Sequence, residues 1–208
     1  MFTGLIEATV KLIRREPLGE DGTGARFWLA APQLDADQVP WEPLLGESIA
    51  ISGCCLTLVR IETDAALVFD LSSETLDITW LNDFQVGDVV NLERSVRLAD
   101  RMGGHMVSGH VDAVGRIVEI SDSGDGGQLI GFEVPAGFER YLVPKGSVTI
   151  DGISLTVVQP EGRRFQVAVI PETLQRTSLG SAEVGDRVHL EADLIGKWVE
   201  RLLAYRSE

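Results

Sequence analysis

The sequence has only two cysteines in 208 residues, and they are adjacent, at Cys54 and Cys55. Neighbouring residues on an extended strand point to opposite faces, which argues against a disulfide between them. No Cys and His spacing typical of a structural zinc site is present. Two of the three histidines, His105 and His110, are five residues apart, so on a strand they would face opposite ways. The sequence therefore predicts neither a disulfide nor a metal site.

Positive charge and long apolar runs are also scarce. Lys and Arg number 18 against 32 Asp and Glu, which gives a formal net charge of −14. A surface of this sign repels nucleic acid and anionic membranes. No apolar run approaches the roughly 18 to 20 residues that cross a bilayer, and the N-terminal segment lacks the pattern of a signal peptide. The composition predicts a cytoplasmic protein with no nucleic-acid or membrane partner.

One stretch of the sequence occurs twice. The segment SIAISGCCLTL at 48–58 returns as SVTIDGISLTV at 147–157. The match extends downstream through two Glu-Thr-Leu segments, at 74–76 and 172–174, and upstream through MFTGLIEATV and MVSGHVDAVG. Repeats of solenoids and propellers are only about 20 to 50 residues long. We therefore predict that the chain contains two copies of one domain.

Both copies have the patterning of a β-domain. Short alternating segments such as SIAISG, ALVFDL and DVVNLE are separated by Gly, Asp and Pro. This pattern is typical of antiparallel strands and favours a barrel or a sandwich. Short helical turns are expected at the two Glu-Thr-Leu segments. The Gly-rich loops that hold nucleotide phosphates are absent, which disfavours a nicotinamide or ATP enzyme.

The C-terminal segment has a different period. In LIGKWVERLLAY, at 194–205, Ile195, Trp198, Val199, Leu202 and Tyr205 fall on one side of a helix. This spacing predicts an amphipathic helix attached to an otherwise β protein. Its apolar side either packs back on a barrel or meets the same helix of another subunit, and the sequence leaves both alternatives open.

The repeated strand carries paired polar groups. Cys55 in the first copy aligns with Ser154 in the second, and each is followed by Leu and Thr. On a strand, Cys55 and Thr57 share one face, as do Ser154 and Thr156. Each copy thus presents two small polar groups that are suited to a binding site. A buried cysteine that acts as a small apolar residue, or hydroxyls that bond to backbone groups, would explain the same pattern.

Three further residues are candidates. His110 stands where the first copy has Leu5, which indicates a local need for a polar side chain. A hydrogen-bonded structural histidine is the alternative. Lys145 precedes the repeated strand, where an ordinary surface role is the alternative. Asp193 comes just before the predicted helix, a position that also suits a helix N-cap.

Six segments form a specific set, in the order MFTGLIE, GESIAISGCCLT, GGHMVSGHVD, KGSVTIDGISLTV, IPETLQRTSLG and EADLIGKWVERLL. From Met1 to about Leu203 they closely resemble the riboflavin synthase family of the α-chain type. The resemblance implies an all-β fold of two tandem six-stranded Greek-key barrels, which we expect at 1–97 and 98–192. It also implies a C-terminal trimerisation helix, expected at 193–208, in a homotrimer.

The resemblance implies a transferase that needs no cofactor. Two molecules of 6,7-dimethyl-8-ribityllumazine exchange a four-carbon unit, giving riboflavin and 5-amino-6-(D-ribitylamino)uracil in the last step of riboflavin biosynthesis. Each active site would lie between the N-terminal barrel of one subunit and the C-terminal barrel of its neighbour. Lumazine synthase is a further candidate partner.

Two other functions fit a related fold. A lumazine-binding antenna protein would bind the chromophore without turnover, and it would be expected to lose site groups in one half. Here both halves keep theirs. The flavin-binding barrel of a reductase would need an attached nicotinamide domain, which we do not expect.

The resemblance also implies two sets of site residues. The catalytic groups would assist removal of a proton from the C7 methyl group of one lumazine and addition of a nucleophile to C7 of the other. The base and the nucleophile stay open among them, with water as a further nucleophile. The catalytic set is His110, Ser154, Thr156, Cys55, Ser48 and Asp193. The first-barrel substrate contacts would be Gly4, Leu5, Ile6, Cys55, Leu56, Thr57, Asp70, Leu71, Ser72, Ser73, Glu74 and Thr75. The second-barrel contacts would be Gly109, His110, Val111, Lys145, Ser154, Leu155, Thr156, Ile170, Pro171, Glu172, Thr173, Leu174 and Gln175.

Overall fold

The computed structural model describes residues 1–32, 41–63 and 65–205. Strands dominate these residues, and three short turns of 3-10 helix occur at Trp80–Asp83, Glu139–Tyr141 and Ser178–Ser181. The strands are β1 (Ala8–Leu18), β2 (Gly24–Leu29), β3 (Ser48–Ile51), β4 (Cys54–Ile61), β5 (Leu67–Leu71), β6 (Val89–Arg94), β7 (Ala113–Asp122), β8 (Gln128–Glu133), β9 (Ser147–Ile150), β10 (Ile153–Thr156), β11 (Val158–Glu161), β12 (Arg164–Val169) and β13 (Arg187–Ala192). The helices are α1 (Ser73–Ile78), α2 (Pro171–Arg176) and α3 (Leu194–Tyr205). No helix in this described part is long and apolar enough to cross a membrane.

Strands β1 to β6 form a closed antiparallel barrel in the order β1-β2-β5-β4-β3-β6. The hairpin-connected strands β3, β4 and β5 lie side by side, and β6 returns to lie beside β3, which is a Greek key. Alternate residues point into the barrel, so Leu12, Phe27, Ile49 and Phe69 are fully buried in one core. This first barrel confirms the predicted architecture.

Strands β7 to β13 form the second barrel. They pair in the order β10-β9-β13-β7-β8-β12-β11, so β10 and β11 lie at opposite ends of the sheet. Only Val157 separates β10 from β11 along the chain. They correspond to the two halves of β4, which pairs with β3 through Cys54–Thr57 and with β5 from Leu58 onward. The second barrel therefore has the predicted six-stranded plan, with one strand interrupted.

The predicted helical segments are present. Helix α1 begins after Ser72, whose Oγ accepts a hydrogen bond from Thr75 N at 3.2 Å. Helix α2 begins with Pro171, where the missing N–H costs no helical hydrogen bond. Helix α3 occupies the predicted segment, and Asp193 Oδ1 accepts a bond from Ile195 N at 2.9 Å. Asp193 is thus an N-cap of α3, as its position indicates.

Helix α3 contacts the second barrel through polar groups. Lys197 Nζ lies 2.5 Å from Asp112 Oδ2, and Glu200 bonds to Arg140 and Tyr141. The apolar side chains of α3 are 50 to 74% exposed, namely Ile195, Trp198, Val199, Leu202, Leu203 and Tyr205. The described part of the chain therefore leaves the apolar side of α3 largely uncovered.

The two barrels meet at the glycines of the repeated segment. Gly53 and Gly152 both have a φ of +83°. A Cβ on Gly53 would lie 2.7 Å from Gly152 N, and a Cβ on Gly152 would lie 2.8 Å from Gly53 N. Both distances are shorter than real contacts, so a side chain would force the barrels apart. The glycine is repeated because each copy presents it to the other.

Asn91 and His189 occupy equivalent positions on β6 and β13 and reach across this interface. Asn91 Nδ2 donates to Asp151 O at 2.9 Å, and Asn91 Oδ1 accepts from Ser178 N at 2.8 Å. Ser178 is the first residue of the 3-10 turn of the second copy. An amide on one barrel therefore satisfies the free N–H at a helix start on the other.

His189 makes the reciprocal contacts. Its Nε2 accepts a hydrogen bond from Trp80 N at 3.1 Å, so Nε2 carries no proton, and its Nδ1 lies 2.8 Å from Ser52 O. Burial lowers the pKa of His189 to about 4. Asp151 Oδ1 accepts from His189 N at 2.8 Å, and burial raises the pKa of Asp151 to about 7. Below about pH 7 these shifts favour a protonated Asp151 carboxyl beside a neutral His189 imidazole.

These directions predict how stability depends on pH. Between pH 4 and 6.5 the folded pair holds one proton on Asp151, while the unfolded chain holds one on His189. The folded and unfolded states then bind the same number of protons at this pair, so the pair adds little pH dependence to the stability of the native protein. In Asp151→Asn only His189 titrates, with a folded pKa below the unfolded one. Its contribution is present above pH 6.5, and about 3 kcal/mol of it is lost as the pH falls to 4.

His189→Asn, which introduces the residue of the first copy, should behave in the opposite way. Only Asp151 then titrates, with a folded pKa above the unfolded one, so its contribution is lost as the pH rises from 4 to 7. Urea denaturation at several pH values measures both slopes. Identical pH slopes for the native protein and both variants would refute the opposite pKa shifts of Asp151 and His189.

Candidate active site

The segment that precedes each barrel crosses to the other barrel. Gly4 O accepts a hydrogen bond from Ser154 N at 2.8 Å, and Gly109 O accepts one from Cys55 N at 2.8 Å. The two crossing segments, 2–6 and 107–111, also meet each other through a single bridge between Phe2 and Val107. The crossing places a glycine of one copy against the polar strand of the other.

Packing follows the same crossing. Ile6 packs against the core of the second barrel, and Val111 belongs to the core of the first. The packing thus differs from the sequence-based grouping, which assigned Gly4–Ile6 to the first-barrel contacts and 109–111 to the second-barrel contacts. Chain order gives no sign of the exchange, because the segments are joined to their own barrels along the backbone.

Buried glutamates fix the crossing segments. Glu93 Oε1 accepts hydrogen bonds from Thr3 N at 2.6 Å and Thr3 Oγ1 at 2.8 Å, and its Oε2 accepts one from Gly4 N at 2.9 Å. Glu191 makes the same three bonds with the segment at 108–109, at 2.7, 2.7 and 3.0 Å. Burial raises the pKa of Glu93, while the bonds from Thr3 and Gly4 oppose this shift. Neither glutamate was predicted from the sequence, although Leu-Glu recurs at these positions in the repeat.

The first polar strand has apolar surroundings. Cys55 is half-buried and packs with Phe2, Ala50 and Val107. Thr57 is exposed, and it is the cross-strand partner of Ser48. The structure thus brings three predicted residues together on β3 and β4. The neighbouring Cys54 is buried, and burial raises the pKa of its thiol to about 12, which leaves Cys54 unreactive.

The second polar strand has polar surroundings. Ser154 Oγ lies 2.7 Å from His105 Nδ1, and His105 Nε2 lies 3.2 Å from Thr149 Oγ1. Burial lowers the pKa of His105, and the negative charge of Asp193 opposes this shift. His105 is not among the site residues predicted from the sequence. The signal that could have indicated a role for His105 is its position beside Gly104 in GGHMVSGHVD, one of the six segments that resemble the family.

His110 lies in an exposed part of the crossing segment. His110 is not on a strand. The expectation that His105 and His110 point to opposite faces of a strand therefore does not apply. The backbone N–H of His110 donates to Ser108 Oγ at 3.2 Å, as that of Leu5 does to Thr3 Oγ1. The equivalent backbone positions confirm that His110 and Leu5 are counterparts.

The remaining predicted residues border the ends of strands. The segments 70–75 and 170–175 lead from β5 into α1 and from β12 into α2. Asp70 forms a two-bond ion pair with Arg26, at 2.5 and 2.8 Å. Lys145 is exposed in a turn with a φ of +64°, and its N–H donates to Val157 O at 2.9 Å. Lys145, Ser72 and Ser73 are exposed, whereas Leu71 is buried in the first core and Leu174 packs against the second.

Two of the cavities among the described residues lie between packed elements of the fold. A cavity of about 500 Å³ lies between the barrels and is lined by residues that include Ser52, Trp80, Asp151 and Ser178, none of them predicted site residues. Another of about 520 Å³ lies between α3 and the second barrel, and Asp193 is the one predicted residue in its lining. Within the described ranges, no group of three or more His, Cys, Asp or Glu side chains could hold a metal ion.

Comparison with known families matches both barrels. The lumazine binding domain matches residues 3–95 and again residues 108–193. A solved structure of LumP complexed with 6,7-dimethyl-8-(1'-D-ribityl) lumazine superimposes with a TM-score of 0.77, over 92% of this chain and 99% of that one, at 22% identity. The fold and the paired strands therefore define a protein of two tandem lumazine binding domains.

Full-length relatives narrow the class further. Riboflavin synthase of Mycobacterium bovis is 44% identical over 206 residues, which cover 98% of both chains. Riboflavin synthase of Escherichia coli K12 is 39% identical over 212 residues, covering all of this chain and 95% of the relative. This chain belongs to the riboflavin synthase family.

The two glutamates predict a local effect of substitution. Glu93→Gln replaces one acceptor oxygen by an amide donor, so an N–H of Thr3 or Gly4 loses its partner. A buried donor without a partner costs about 1 to 3 kcal/mol, which should speed amide exchange in this segment at least roughly tenfold. Glu191→Gln should have the same effect at Ser108 and Gly109. Native-state hydrogen exchange followed by NMR measures both, and each variant serves as the control for the other. Acceleration of both segments in either variant would show that the glutamates do not act locally.

Proposed function

We propose that this protein catalyses the riboflavin synthase reaction. Two molecules of 6,7-dimethyl-8-ribityllumazine would exchange a four-carbon unit and yield riboflavin and 5-amino-6-(D-ribitylamino)uracil. The observation that carries this proposal is the crossed, duplicated site. Each copy has a polar strand and a glycine segment supplied by the other copy, which suits two bound molecules of one substrate. Family membership supports the same reaction.

The predicted contact residues would divide between two half-sites. One half-site would contain Cys55, Thr57, the segment 70–75 and the crossing segment 109–111. The other would contain Lys145, Ser154, Thr156, the segment 170–175 and the crossing segment 4–6. Backbone groups of the strands would bind the edge of the ring system, and polar side chains would bind the ribityl hydroxyls. This division follows the hydrogen bonds of Gly4 and Gly109.

The chemistry needs orientation and proton transfer rather than a cofactor. The lumazine ring delocalises the carbanion formed at the C7 methyl group, so the protein mainly aligns the two rings and moves protons. Ser154 is the predicted catalytic group best suited to proton transfer, because its hydroxyl contacts the His105 imidazole. His110, Thr156, Cys55 and Ser48 remain candidates for binding the second ring or the attacking group.

Assembly would complete the site. We propose a homotrimer in which the apolar sides of α3 meet and the first barrel of one subunit faces the second barrel of its neighbour. The exposed apolar side of α3 and the exposed position of Thr57, His110 and Thr156 support this arrangement. The protein would act in the cytoplasm, and an association with lumazine synthase stays a prediction.

The reaction can be tested directly. Purified protein incubated with 6,7-dimethyl-8-ribityllumazine should form one riboflavin for every two lumazines consumed, as followed by absorbance and HPLC. Ser154→Ala should lower kcat by roughly a hundredfold if this hydroxyl takes part in proton transfer. Tight binding of the lumazine without any product would identify an antenna-type binding protein and overturn the proposal.

Assembly can be tested at the centre of the apolar side of α3. Trp198 is 62% exposed, and Trp198→Asp should convert the trimer to monomers and reduce activity more than about tenfold, because a charge is then buried at the contact. Val86 is 63% exposed in the turn before β6, and Val86→Asp is the matched control that should keep both trimer and activity. Sedimentation velocity and the riboflavin assay measure the outcome. A fully active Trp198→Asp monomer would contradict the shared site.

A further inference from the structure

The second barrel contains a buried hydroxyl to which the proposed reaction gives no role. Thr149 lies in β9 and is 1% exposed. Its Oγ1 makes one hydrogen bond with the described residues, the 3.2 Å contact with His105 Nε2. Burying a hydroxyl is unfavourable unless it is bonded. The placement of Thr149 therefore depends on His105.

We propose that Thr149 is a positioning residue for the second half-site and acts through His105 on Ser154. Thr149 and Ser154 are cross-strand partners on β9 and β10, so their side chains lie on the same side of the sheet. The imidazole bridges them, with Nδ1 2.7 Å from Ser154 Oγ and Nε2 3.2 Å from Thr149 Oγ1. Rotation of the ring would break both bonds. The consequence for catalysis rests on the proposed function.

The backbone around His105 is fixed independently of the ring. His105 N donates to Thr3 O at 3.1 Å. At the preceding residue, a Cβ on Gly104 would lie 2.0 Å from Thr3 O and 2.9 Å from Ser154 Cβ. Only glycine allows so close an approach. These backbone contacts place His105 beside Ser154, and Thr149 determines the orientation of the His105 ring.

The proposed role places the ring proton of His105 on Nε2, because a proton there leaves Nδ1 free to accept from Ser154. When Nε2–H donates to Thr149 Oγ1, Nδ1 is left as an acceptor for the Ser154 hydroxyl. The Ser154 O–H then points at Nδ1, and its oxygen lone pairs face away from the histidine. Asp193 is the charged group that acts on this imidazole. Thr149 therefore plays the part of the third group that orients a hydroxyl–histidine pair.

The first barrel lacks this arrangement. The residue equivalent to Thr149 is Ala50, which packs with Phe2, Val107 and Cys55. A methyl group there makes no demand for a polar partner. The positioning role is therefore specific to the second half-site.

Thr149→Val tests the proposal, because valine keeps the shape and removes the hydroxyl. Compared with the native enzyme, we expect kcat for riboflavin formation to fall about tenfold, while KM changes less than about twofold. The ¹⁵N NMR signals of His105 should move towards a mixture of tautomers. Thr149→Ser retains the hydroxyl and should restore both kcat and the His105 signals. The signals of His110 and His189 in the same spectra are internal controls and should not move.

The outcomes separate a positioning role from a structural one. Unchanged kcat together with unchanged His105 signals in Thr149→Val would overturn the proposal. A loss of kcat that follows a lower Tm, while the His105 signals stay in place, would also overturn it, because the hydroxyl then only stabilises the barrel. If the native protein forms no riboflavin, the proposed function fails, and the His105 signals alone still decide whether Thr149 orients the ring.

Discussion

The arrangement of the molecule depends on the two buried carboxylates that hold the crossing segments. Each crossing segment is fixed to its own barrel by Glu93 or Glu191 and to the other barrel by a main-chain bond from Gly4 or Gly109. Three donors satisfy each carboxylate, which offsets the cost of burying it. Separating the barrels would therefore break either the main-chain bonds of Gly4 and Gly109 or the hydrogen bonds of the two glutamates. The same residues that join the barrels also place a glycine beside each polar strand.

The duplication repeats the backbone but not the chemistry. Cys55 N and Ser154 N make equivalent bonds, yet the Cys55 side chain packs among apolar groups while Ser154 meets His105. A reaction in which one lumazine gives a four-carbon unit and an identical molecule accepts it needs two half-sites of unequal chemistry. The changes from Cys55 to Ser154 and from Leu5 to His110 are visible when the sequences of the two copies are aligned. The histidine and threonine around the serine enlarge the difference between the half-sites.

Local patterns predicted the fold well, since strand alternation, helical spacing and the repeat are written in neighbouring residues. Helix α3 begins and ends at the residues that its apolar spacing indicates. The site was harder to predict from the sequence, because the hydrogen bonds that form it join residues far apart in the chain. Glu93 and Thr3 are 90 positions apart, and His105 and Ser154 are 49 apart. No local pattern encodes a segment that crosses to another barrel, so the sequence grouped each glycine segment with its own barrel although the repeat itself was clear. The sequence did not predict the interruption at Val157 either, because this one residue separates β10, which pairs with β9, from β11, which pairs with β12.

Asp193 connects the surface proposed for assembly with the second half-site. Its side chain caps α3 through Ile195 N, and its charge raises the pKa of His105 against the effect of burial. The position of this carboxylate depends on how α3 is seated, which Lys197 and Glu200 fix on the barrel. Contacts on the apolar side of α3 would restrain the helix further and so hold Asp193 in place. In the proposed trimer, a partner that covers the apolar side of α3 would therefore also hold the Asp193 charge in place beside His105.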